Sequence, residues 1–119
     1  MRHYLVSAAA AVTVLVAAAP VHANDRTAYQ VIAAKDYARA ERMLLAARRD
    51  DPERPELMLN LAAIYRQTGR SAEARALYAE VLDRPAVAMD MMSGKTVSSH
   101  AVAGTALASL PAATAIAAR

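Results

Sequence analysis

The chain has 119 residues, 56% of them hydrophobic, 4% aromatic and none cysteine, with a formal net charge of +3. That length admits one domain and excludes a large enzyme. The missing cysteine excludes disulfides, thiolate metal sites and thiol nucleophiles, and the apolar excess is mostly alanine, which buries little area and overstates the core.

Residues 1–23 read MRHYLVSAAAAVTVLVAAAPVHA. Arg2 opens a short positive region, Leu5 to Ala19 carry no charge, and Pro20 ends the run. Val21-His22-Ala23 then offers small residues at the first and third positions before a cut. This is the order of a secretory signal peptide, with cleavage expected after Ala23 and a periplasmic or secreted product. The rival is an uncleaved anchor, but the run lies at the short end of the ~20 apolar residues a spanning helix needs. No stable membrane span is expected once it is removed. The residue after the cut is Asn24, not cysteine, which argues against a lipid anchor.

Residues 25–90 carry helical periodicity. Leu57, Leu61, Ile64 and Tyr65 stand at i, i+4, i+7 and i+8, one apolar stripe of a helix. Ala74, Leu77, Tyr78, Val81 and Leu82 form a second stripe at i, i+3, i+4, i+7 and i+8. Gly69 between them fits a helix C′ position, where φ > 0 is cheap, and Ser71 is expected to cap the following helix. Pro55 and Pro85 mark the outer stops. Shifted back by 34 residues, this hairpin recurs: Ala74 maps to Ala40, Tyr78 to Leu44, Val81 to Ala47, Ala62 to Ala28, Tyr65 to Val31 and Ser71 to Tyr37. Such an internal period means units that bury their open faces by stacking.

At these residues the chain resembles the tetratricopeptide repeat family. The second unit carries Leu61-Ala62-x-x-Tyr65, Gly69, Ala74, Tyr78, Val81 and Pro85. It departs with Met58 at the tryptophan position, Ala62 at the glycine position and an early closing proline. The first unit has a weaker opening helix, with Asn24, Thr27 and Val31, and a good second one, with Tyr37, Ala40, Leu44 and Ala47. The resemblance implies an all-α fold, a solenoid of two helical hairpins plus a C-terminal capping helix. Its expected parts are a repeat over 24–54, a repeat over 55–88, a loop over 89–98, the capping helix over 99–110 and a flexible tail over 111–119. The capping helix rests on Ala103, Leu107 and Leu110 at i, i+4 and i+7, with Ser98 or Ser99 as N-cap and Pro111 after its end.

Residues that suggest chemistry have plainer explanations. Gly94-Lys95-Thr96 ends a phosphate-loop pattern, but Met89 stands where its first glycine is needed. Ser98, Ser99 and His100 have the residue types of a hydrolase, yet adjacent Ser and His cannot aim at each other and no oxyanion loop accompanies them. His100 reads instead as a contact where the capping helix docks. Asp50, Asp51 and Glu53 read as a solvated turn next to a helix N-terminus, so no metal, cofactor or catalytic residue is expected. Arg39, Arg42, Arg48, Arg49, Arg66, Arg70, Arg75 and Arg84 are interleaved with acids along the sequence, which argues against nucleic acid as the partner. A basic pI is compatible with loose attraction to anionic surfaces.

The resemblance also implies a groove for a peptide or partner helix. Carried position by position, it would be lined by Asp25, Tyr29, Ile32 and Ala33 from the first repeat. Leu59, Asn60, Ala63, Arg66 and Gln67 would line it from the second. Asn60 stands where carboxylate-clamping members use asparagine, but Asp25 and Tyr29 do not fit the rest of that clamp, so a generic protein or peptide partner is expected. The other reading is a minimal repeat that self-associates, for instance as a homodimer, through an open end.

Overall fold

The computed structural model describes residues 30–91 and 93–111. The expected signal peptide, Asp25, Tyr29 and nearly all of the 111–119 tail lie outside the described residues. Residues 30–33 are helical and lead into a turn. Helix α1 spans Tyr37–Asp50, α2 Pro55–Gln67 and α3 Ser71–Leu82. Two short strands follow, β1 (Ala88–Asp90) and β2 (Thr96–Ser98), and then helix α4 (Ser99–Ser109). The fold is mostly helical. None of the described helices is long and apolar enough to cross a membrane.

The 34-residue period is visible in the backbone. After α2, Gly69 takes φ +78. Its N–H donates to the Arg66 carbonyl at 3.3 Å, and the Arg70 N–H donates to the Tyr65 carbonyl at 2.7 Å. This pair of bonds is the Schellman motif, which satisfies carbonyls a helix end would otherwise leave open. One period earlier Lys35 takes φ 61. Its N–H donates to the Ile32 carbonyl at 2.9 Å, and the Asp36 N–H donates to the Val31 carbonyl at 3.1 Å. The same turn closes both hairpins, with lysine in the first where the second has glycine. A non-glycine residue in this region costs about 1–2 kcal/mol. Gly69→Ala should therefore destabilise the fold by about 1 kcal/mol, and Lys35→Gly should stabilise it by a similar or smaller amount. Chemical denaturation of the two variants reads both signs.

The two hairpins start their second helices differently. Asp36 is the N-cap of α1, its Oδ1 accepting from the Arg39 N–H at 3.3 Å. The N-cap of α3 is Arg70, with no side-chain cap bond. Ser71, expected to be that cap, is instead the first helical residue. Arg70 reaches across to the first repeat: its Nη1 and Nη2 donate to the two carboxylate oxygens of Glu41 at 2.9 and 2.6 Å. The same guanidinium lies 4.3 Å from the centre of the Tyr65 ring, so the cap position of the second hairpin serves as a tie to the first. Arg48 to Glu80 at 2.7 Å makes a second tie between repeats. Arg84 binds Glu80 at 3.0 Å and also Glu53.

Packing follows the repeated stripes. Ala40 and Ala74 are fully buried and let neighbouring helices approach closely. Leu44, Tyr78 and Val81 fill the space beside them, and all three are buried. Met58, at the family's tryptophan position, is enclosed too. Helix α2 sits at the centre: Leu57, Met58, Leu59, Leu61, Ala62, Ala63 and Ile64 are all buried. A helix apolar on nearly every side is an enclosed helix.

Residues 89–98, expected to be a loop, form a hairpin. β1 and β2 pair antiparallel, with Met89 opposite Val97. Gly94 turns the chain at φ +80, its N–H donating to the Met91 carbonyl at 2.9 Å. Thr96 Oγ1 donates to Asp90 Oδ1 at 2.8 Å. Met89 is buried in the core and anchors the hairpin to the helices. Ser99 is also buried. Its N–H donates to the Val87 carbonyl at 2.8 Å, and its Oγ accepts from the Val87 N–H at 2.9 Å. Ser98 caps α4, its Oγ accepting from the His100 N–H at 3.2 Å. His100 Nε2 lies 2.6 Å from the Arg84 carbonyl oxygen, so the imidazole pins α4 to the end of α3. Val102, Ala103 and Leu110 bury the inner side of this helix.

Candidate functional site

The site expected from the sequence divides once burial is known. Ile32, Leu59 and Ala63 are only 3%, 2% and 7% exposed. They are packing residues and not open lining, which corrects the expectation for all three. The physical reason lies in α2 itself, whose apolar residues continue round the helix and draw neighbours onto every side. Ala33 is exposed, and Asn60, Arg66 and Gln67 are half-buried. Asp25 and Tyr29 fall outside the described residues.

Arg66 is turned partly inward. Burial holds the Tyr78 hydroxyl above the ordinary tyrosine range, against the nearby Arg66 charge, which favours the ionised phenol. Arg66 thus contributes to the hairpin's own packing and is not free to serve only a ligand.

What remains is a narrow polar stripe. Glu56, Asn60, Ala63 and Gln67 stand at i, i+4, i+7 and i+11 on α2, which places them on one side of the helix. Ala63 in the middle is buried, and the half-buried Asn60 and Gln67 stand on either side of it. Glu56, half-buried at its head, is paired with Arg54 at 3.6 Å. Sequence reasoning missed Glu56, although it lies one helical turn before Asn60. Asn60 and Gln67 are seven residues apart, or roughly 10.5 Å along the axis at 1.5 Å per residue. That span matches about three residues of an extended chain at about 3.3 Å each. Each amide both donates and accepts, so the pair suits the N–H and C=O groups of a peptide backbone.

The tie behind this helix is electrostatic. The Arg70 hydrogen bonds hold the Glu41 carboxyl below the ordinary glutamate range, against the opposing effect of burial. A depressed folded pKa contributes stability above the unfolded value, about 4.3, and loses it as pH falls through the folded one. Glu41→Gln should therefore flatten the acid side of the stability curve. Midpoints of thermal unfolding measured from pH 7 down to pH 3 should fall less steeply than in the parent. The effect is modest, because both partners are partly solvent-exposed.

Residues 31–87 match the family model described as tetratricopeptide repeat. Searches of curated proteins and of solved structures found no match.

Proposed function

The chain belongs to the tetratricopeptide repeat family, and we propose that it is a non-catalytic module that holds an extended peptide segment of a partner protein along α2. Repeats of this family generally mediate protein–protein interaction. The observation that carries the reading is the stripe of Asn60 and Gln67 flanking Ala63 on an otherwise enclosed helix. Backbone-directed amides favour binding to many sequences over a demanding side-chain code. The weak polarity of the stripe fits a scaffold role better than a catalytic one.

The proposed setting is the cell envelope. Its support is the order of residues 1–23, with export followed by cleavage after Ala23. Fusion of residues 1–30 to a reporter that matures only after export tests that part separately from binding.

Peptides selected from a random display library against the full chain provide the ligand for the binding test. Asn60→Ala combined with Gln67→Ala removes two sets of backbone hydrogen bonds. At about 0.5–1.5 kcal/mol per neutral bond, affinity should fall roughly tenfold in a double variant that keeps its helical circular dichroism. Unchanged affinity in a folded double variant would falsify the assignment of the stripe.

A further inference from the structure

The outward side of α1 has a character the peptide reading does not use. Arg39, Arg42, Leu45 and Arg49 are exposed, at i, i+3, i+6 and i+10, and Ala38 and Ala46 fill the surface between them. Leu45 is one of the few large apolar side chains left in solvent, at 38% exposure. Between Tyr37 and Arg49 the only acidic residue is Glu41, and Arg70 holds it at the interface between the repeats. None of Arg39, Arg42 and Arg49 makes an ion pair among the described residues. Along the sequence the arginines are interleaved with acids. In space, the middle of α1 presents three arginines around an apolar residue, with the exposed Asp36 and Asp50 at the two ends of the helix.

We propose that the outer face of α1, with Arg39, Arg42 and Arg49 set around Leu45, docks the protein on an anionic lipid bilayer. Arginine heads meet lipid phosphates while their stems lie along the apolar boundary. The exposed leucine beside these cations adds apolar contact at the headgroup boundary to the electrostatic attraction. The alanines keep the face flat enough for three heads and one leucine to reach a planar surface together. No aromatic residue lies on this face to stack a base, which disfavours single-stranded nucleic acid as the occupant. The polar stripe lies on α2, so a peptide held there and a bilayer under α1 do not compete for residues.

Flotation of the full chain with phosphatidylglycerol vesicles tests this, with phosphatidylcholine vesicles as the neutral comparison. Each arginine near an anionic surface contributes about fivefold in affinity at low ionic strength. Arg39→Gln, Arg42→Gln and Arg49→Gln together should weaken binding to phosphatidylglycerol about a hundredfold. Phosphatidylcholine binding should stay unchanged, and the difference should shrink sharply in 0.5 M salt, where screening is short-ranged. Leu45→Ser should lower binding by a few fold. The apolar run at 5–19 is present in every variant, so the difference between variants reports on α1 alone. If the triple variant loses its helical circular dichroism, Arg42→Gln alone should still show about a fivefold loss. The proposal is overturned if the folded arginine variants float like the parent, or if the loss is the same for both lipids. It is also overturned if the arginines change binding to DNA or to an acidic protein but not to vesicles.

Discussion

Leu44→Ala should lower the free energy of unfolding by about 2–5 kcal/mol, the range for truncating an enclosed leucine. Leu44 is 1% exposed and lies in the core shared by the two repeats. It occupies in α1 the position Tyr78 holds in α3, so its loss opens a cavity where α1 meets α2. Domains of this size are stable by only about 5–15 kcal/mol, and the variant should unfold at a much lower urea concentration. Leu45→Ala is the matched comparison. That leucine is 38% exposed, and an exposed substitution should stay within about 0.5 kcal/mol. Urea titration of the two variants by far-ultraviolet circular dichroism reads the difference. Equal losses would mean that the packing face of α1 has been misassigned.

Tyr78→Ala should be at least as damaging, at about 3–5 kcal/mol, by comparison with other large aromatic truncations. Tyr78 is 3% exposed and packs among the residues of α2 and α3. Tyr78→Phe separates the ring from its hydroxyl. It keeps the packing and loses only the hydroxyl, so the cost should be well below that of Tyr78→Ala. The pH dependence carries the same information. Burial raises the folded pKa of Tyr78 above its unfolded value. The associated stability is therefore present below about pH 10 and lost as pH rises through the folded pKa. Tyr78→Phe should lessen that alkaline loss. Tyr65 is raised as well, by burial first and then by the Glu41 charge, so part of the alkaline dependence should persist in the variant.

Helix boundaries were legible where a residue marks them, unlike the start of α3, where Arg70 and not Ser71 is the N-cap. Pro55 sets the start of α2, Gly69 its end, and Ser98 the start of α4. The small residues Ala40, Ala62 and Ala74, all fully buried, were legible through the 34-residue shift. Two local features were not. Lys35 gives no sign of the left-handed conformation it adopts, because the turn is imposed by the hairpin and not by the residue. The β1–β2 hairpin has three-residue strands, and only β2, with Thr96 and Val97, carries β-branched residues. Its turn at Gly94 falls in a stretch expected to be a loop, and Met89, anchored in the core, holds the hairpin against the helices.

The site was less legible than the fold. Family positions indicate which side of α2 should point toward a ligand, but not what else covers that side. Leu59 and Ala63 are therefore buried although their positions were expected to be open. Asn60 and Gln67 remain partly accessible, and Glu56 joins them by simple helical spacing. Arg66 was expected to serve a ligand, and its closeness to Tyr78 on α3 could not be read from one helix alone. The ties between repeats, Glu41 with Arg70 and Arg48 with Glu80, join residues 29 and 32 positions apart. Neither spacing is a helical one, so only the stacked arrangement brings them together.

The central claim is that a peptide lies along α2 between Asn60 and Gln67. The most direct test follows the side-chain amide resonances of these two residues by nuclear magnetic resonance while a display-selected peptide is added. Both should shift and saturate with the same dissociation constant as the backbone signals of Ala63, while Arg42 and Leu45 on α1 stay unmoved. Shifts confined to α1 or α4, or no selected peptide that moves the α2 amides, would contradict the account.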